Sequence, residues 1–192
     1  MSIRRTEARK EGRRLEIKHE WRDISDISPY MIEAAIVGED DLFYKHNGFS
    51  RKGIENAIEE YKSNKKVTRG GSTISQQTAK NVFCTNHHNI FRKGIEAYFT
   101  VLIEWIWGKE RIIEVYVNSI EMGDGIFGAE AASQTYFRHS AKNLTLSEAC
   151  LIGACIPSPR KWSVTHPGPY VKKRQQTLIQ RCKKKAYAQP DK

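Results

Sequence analysis

No run in this 192-residue chain approaches the ~18 consecutive apolar residues that a membrane-spanning helix needs. The first residues also lack the apolar segment of a secretory signal. Cysteine is scarce, limited to Cys84, Cys150, Cys155 and Cys182. None stands in a C-x-x-C pair, which argues against a zinc site, and no disulfide framework is indicated. Cys150 and Cys155 fall in an apolar helical run and read as small core residues. No strand-like alternation of useful length is present, and no internal repeat, so the fold class is mainly α.

What is present suffices for one domain with a real core. Apolar residues make up 39 % and glycine 13 of 192 positions, together roughly 46 %, an ordinary globular share. The net charge is +10. Lys and Arg cluster at both ends, at Arg4, Arg5, Arg9, Lys10, Arg13 and Arg14 and again from Lys172 to Lys185. Such charge suits a polyanion, whether nucleic acid, an anionic membrane face or a phosphorylated substrate, or it is simply solvated surface.

Residues 1–27 read as a basic N-terminal arm, of which 1–22 is a loosely held arm or a surface helix, and residues 28–187 as the domain proper. Pro29 is placed for the first turn of an apolar helix ending near Glu39. Helical periodicity continues over 50–63, 72–83, 90–107, 109–120, 129–137, 147–156 and 171–187. A polar loop is expected at 62–69 and a break at 84–89. The aromatic stripe of residues 98–107 reads most simply as core packing; Trp105 and Trp107 do not easily both face inward on one helix, and the alternative is that one of them touches a hydrophobic substrate or a membrane interface.

Chemistry-bearing residues gather at helix ends. Glu39-Asp40 follows an apolar helix, where burial and a neighbouring acid raise a carboxyl pKa and suit a proton acceptor; the plain alternative is a solvated acid pair. His46, two residues before a glycine, reads as a structural hydrogen-bonder. Gly70-Gly71-Ser72-Thr73 opens a helix that carries Gln76, Gln77 and Lys80. A helix entry with free N–H groups and a nearby cation can hold a phosphate. Arg92 and Glu96 are four apart, either an ordinary ion pair or a cation and second carboxylate at a substrate.

In order and spacing these segments resemble the peptidoglycan glycosyltransferases (glycosyltransferase family 51), specifically the monofunctional biosynthetic transglycosylases. E-D-x-x-F-x-x-H-x-G is met by Glu39, Asp40, Phe43, His46 and Gly48. G-x-S-T-x-x-Q-Q-x-x-K-N is met by Gly70, Ser72, Thr73, Gln76, Gln77, Lys80 and Asn81, and R-K-x-x-E by Arg92, Lys93 and Glu96. Two further blocks run from Lys109 to Phe137 and from Leu146 to Pro157.

The resemblance implies a lysozyme-like, bilobal helical domain that polymerises lipid II by inverting transfer. It implies Glu39 as general base, Asp40 as the residue that tunes it, and Glu96 acting on the pyrophosphate side directly or through a divalent cation (Mg2+ or Mn2+). Together these form a catalytic set of Glu39, Glu96 and Asp40. Lys80, Arg92 and Lys93 would grip or flank the pyrophosphate, Ser72, Gln76 and Gln77 would line the polar wall, and Phe43, His46, Glu114 and Asn118 would brace the site. The implied partners are lipid II, the growing glycan strand, a membrane surface and other cell-wall synthesis proteins, with no nucleic acid. The implied location is the extracytoplasmic face of the inner membrane. A membrane helix usually precedes this domain; none is in this sequence, and the basic ends and aromatics would then serve the membrane. A muramidase-type hydrolase is the alternative, but it has no need of Lys80 and Arg92. A basic nucleic-acid-binding module rests on charge alone.

Overall fold

The computed structural model describes residues 1–51, 55, 71–84 and 90–188, with side chains for all of these except 2, 3, 90, 91 and 186–188. Most of the helix expected over 50–63, the loop at 62–69 and most of the break at 84–89 fall outside the described residues. The chain packs as two compact units, Met1–Gly38 with Val117–Lys192, and Glu39–Tyr116.

The first unit holds helix α1 (Ser2–Lys10), strand β1 (Lys18–His19) and most of helix α2 (Pro29–Glu39). After the chain returns come β2 (Glu121–Gly123) and β3 (Ile126–Phe127). Its later helices are α6 (Ala129–Phe137), α7 (Leu146–Cys155) and α8 (Pro169–Ala188). Its core is α2 against α7 and α8. A methyl added at Gly153 would stand 3.4 Å from the Ala34 side chain and 3.5 Å from Leu178, so α7 comes close to both α2 and α8 at its glycine. Thr145 and Glu148 close a capping box at the start of α7, which satisfies two N–H groups that a bare helix end leaves open.

The three strands form a small sheet in the order β1-β3-β2, with β1 parallel to β3 (Lys18 beside Ile126) and β2 antiparallel to it. Strands of two or three residues carry no readable alternation, which is why the sequence did not announce them. The sheet's turn also anchors the basic N-terminus. Arg4 is only 8 % exposed and pairs with Glu121 at 2.9 Å and Asp124 at 2.6 Å. Arg13 reaches Asp124 at 2.6 Å. Helix α1 is therefore held down, and part of its charge is already answered within the fold. Glu130 is fully buried. Burial pushes its carboxyl pKa up, but hydrogen bonds from Gln134 and the Ala141 N–H, with Arg22 and Ser140, outweigh this and hold it below the usual range.

The second unit runs from Glu39 through a 3-10 turn (Phe43–Lys45) to helices α3 (Ile74–Phe83) and α4 (Ile90–Ile106). It ends in helix α5 (Gly108–Ser119), which the unit shares as far as Tyr116. Gly108 separates α4 from α5 with φ +70, a left-handed conformation that glycine adopts without steric cost. Phe83 at the end of α3 stacks on Phe99 at 4.4 Å and meets Trp107 at 5.8 Å. Trp107 is thus the inward member of the tryptophan pair, and Trp105 is 82 % exposed. Among the described residues no helix is long and apolar enough to cross a membrane.

Candidate active site

The candidate site lies in the second unit and begins with how α3 starts. Thr73 is its N-cap: its hydroxyl accepts from the Gln76 N–H at 3.1 Å, and the Gln76 side-chain carbonyl accepts from the Thr73 N–H at 3.0 Å. The hydroxyl also donates to the Gly48 carbonyl at 2.6 Å. Gly48 has φ +87, and a methyl there would stand 2.8 Å from Thr100 Cγ2 and 3.1 Å from Glu104 Cγ on α4. The glycine after His46 therefore lets the first motif lie against both α3 and α4. Ser72 precedes the cap and is half-buried.

Asp40 is 8 % exposed and joins the two motifs. Its Oδ2 accepts from the Ile74 N–H at 3.0 Å and from His46 Nε2 at 2.9 Å. An anion on the first N–H of a helix meets both an unpaired donor and the positive end of the helix dipole. Asp40 acts here as a brace that seats α3 beside Glu39, and His46 braces Asp40 in turn.

Glu39 ends α2 and is half-buried. Gln77 donates to it, Nε2 to Glu39 Oε2, at 3.2 Å. Three residues further along α3 stands Lys80, exposed. A three-residue step advances about 4.5 Å and keeps both side chains on one face of the helix. Lys80 thus lies on the same face of α3 as the Gln77 that holds Glu39.

The cations converge at the far end of α3. Cys84, which caps it, feels Glu96, Arg92, Lys80 and Lys93 electrostatically. Partial burial, followed by the Glu96 carboxylate, pushes its thiol pKa up against the lowering by the three cations. Cys84 is therefore held as a thiol and is a poor nucleophile. Glu96, 2 % exposed, receives Arg92 Nη1 at 2.9 Å and also the Lys93 ammonium. Three cations against one carboxylate leave a net positive cluster, and Glu96 sets the direction of Arg92 and Lys93.

Among the described residues no group of three His, Cys, Asp or Glu is placed to hold a metal ion. Glu96, the carboxylate beside the cations, is already engaged by two of them.

Gln77 of α3 holds Glu39, Lys80 lies three residues further along the same helix, and Lys80, Arg92, Lys93 and Glu96 all act electrostatically on Cys84. Gln76 faces its own helix start, with its carbonyl spent on the cap. Sequence reasoning gave no role to Glu104 and Lys109. Glu104 accepts from Ser75 at 2.5 Å and from Lys109 Nζ at 2.6 Å, and the same ammonium lies 4.5 Å from the centre of the buried Phe43 ring. A lone carboxylate in the apolar stretch 98–107 was the available signal, since such a group is rarely buried without a partner.

The chain matches the family model described as Transglycosylase over residues 7–183. Three similar proteins carry the name biosynthetic peptidoglycan transglycosylase. The one from Caulobacter vibrioides is 53 % identical over 164 residues, covering 85 % of this chain and 70 % of the relative. The one from Shewanella oneidensis is 50 % identical over 159 residues, covering 83 % and 68 %. The one from Bacteroides thetaiotaomicron is 45 % identical over 179 residues, covering 93 % and 72 %. With a match across nearly its whole length, on a mainly helical lysozyme-like domain, this chain belongs to the transglycosylase family.

Proposed function

We propose that this chain polymerises lipid II into β-1,4-linked glycan strands by inverting glycosyl transfer, with release of undecaprenyl pyrophosphate. The observation that carries this reading is the shared face of α3, where Gln77 holds Glu39 at 3.2 Å and Lys80 follows three residues later, acting on Cys84 together with Arg92 and Lys93. The names of the similar proteins supply the substrate class.

Glu39 takes the proton from the acceptor sugar's 4-hydroxyl as that oxygen attacks the anomeric carbon of the donor. The carbon–oxygen bond to the pyrophosphate breaks, and its electron pair leaves on the phosphate oxygen. Lys80, with Arg92 and Lys93 aimed by Glu96, meets the charge that develops there, where fixed donors lower the barrier most. One displacement turns an α-linked donor into a β-linked product, and it needs no covalent intermediate. The protonated Cys84 thiol fits that route. No step is assigned to a divalent cation.

The exposed apolar side chains of this unit support docking on a membrane surface. Tyr98, Val101, Trp105 and Ile106 stand out from α4 and Val82 and Phe83 from α3, each at least 38 % exposed. A patch of this kind suits the boundary between headgroups and acyl chains, where the lipid-borne substrate is presented. On this reading the unit works at the extracytoplasmic face of the inner membrane, alongside other cell-wall synthesis proteins.

The test is incubation of the purified chain with lipid II and, separately, with isolated sacculi. Lengthening glycan strands from lipid II, with no soluble fragments from sacculi, is the expected result. Fragments released from sacculi without polymer from lipid II would instead identify a muramidase-type hydrolase.

A further inference from the structure

We infer that Tyr116 is a positioning residue for the transfer reaction, acting through Gln77 to orient the Glu39 carboxylate. The inference rests on the reading of Glu39 as the proton acceptor.

Tyr116 lies on α5 and is completely buried. A buried phenol needs a partner for its hydroxyl. Here the hydroxyl donates to Gln77 Oε1 at 3.3 Å, and the other end of that amide, Nε2, donates to Glu39 Oε2 at 3.2 Å. Three side chains from three helices, α5, α3 and the end of α2, form one directed chain of hydrogen bonds within a single unit.

The direction of the chain follows from the chemistry of its middle member. An amide accepts at its oxygen and donates at its nitrogen. With the Tyr116 O–H pointed at Gln77, the oxygen end is drawn to Tyr116 and the N–H end is left facing the carboxylate. The flipped amide would set its carbonyl oxygen against the Glu39 carboxylate, two acceptors with no proton between them. Burial, with the nearby Glu39 and Asp40 charges, pushes the phenol well above its ordinary range, so the O–H persists as a donor wherever the carboxylate is ionised. Tyr116 thereby selects the amide orientation that places a donor on one Glu39 oxygen and directs the carboxylate toward its substrate. It does so without touching substrate.

Tyr116→Phe keeps the ring and removes only the hydroxyl. The expected result is a fall in kcat of about tenfold, the value of one well-placed hydrogen bond, with KM for lipid II unchanged within about twofold, because the cations that bind the donor are untouched. Gln77→Ala should lower kcat similarly. The double variant should be no slower than Gln77→Ala alone, because both changes break one chain. Ile112→Val, a fold control on the same helix, should keep wild-type kcat despite its lost methyl. Wild-type kcat in Tyr116→Phe, losses that multiply in the double variant, or a change confined to KM would each overturn the inference. Glu39→Gln is assayed alongside: if it is inactive while Tyr116→Phe is normal, only the relay fails, and if it is active, the assignment of the base fails.

Discussion

Glu39→Gln should slow lipid II polymerisation by about 10²–10⁴-fold, the usual contribution of a general base, while the protein remains folded. The substitution keeps the side chain's size, and its amide oxygen can still accept from Gln77 Nε2, which sits 3.2 Å from the carboxylate in the wild type. What it removes is the ability to take up a proton. Far-ultraviolet circular dichroism and the thermal unfolding midpoint should match the wild type. Donor affinity should also be retained, because the cations near Cys84 are untouched. A Glu39→Gln protein that builds strands at close to the wild-type rate would end the assignment.

Lys80→Ala should weaken lipid II binding by roughly 10–100-fold, the range expected for one hydrogen bond to a charged group. Lys80 is exposed, so its removal should leave stability within about 0.5 kcal/mol of wild type. Its neighbours offer limited compensation, because Arg92 and Lys93 are already directed onto Glu96. The loss should appear in KM and in direct binding of a non-reactive lipid II analogue. It should shrink for an analogue that lacks the pyrophosphate. Unchanged donor affinity would remove Lys80 from the anion site.

Helix α6 was legible to the residue, Ala129 to Phe137, because small residues at helical spacing lie between a glycine and a polar break. The start of α3 was legible from its hydroxyls, and Thr73 proved to be the cap. The four-residue spacing of Arg92 and Glu96 offered an ion pair, and they form one at 2.9 Å. Other features depend on pairings that no local pattern carries. Arg4 finds Glu121 across 117 positions, so the N-terminal cluster looked like free charge when part of it is neutralised. Tyr116 fell on the apolar side of its helix and looked like core. Its hydroxyl, the one polar atom among its helical neighbours Ile112, Ile113 and Val117, was the trace of a role that only the position of Gln77 makes visible.

The most direct measurement of the central claim is a crystal structure of this chain with an uncleavable lipid II donor analogue and an acceptor saccharide. The account predicts the pyrophosphate on Lys80 and Arg92, with a Glu39 carboxylate oxygen about 2.6–3.2 Å from the acceptor's 4-hydroxyl, the reach a general base needs. A pyrophosphate bound away from both cations, with Glu39 out of reach of the acceptor, would contradict it.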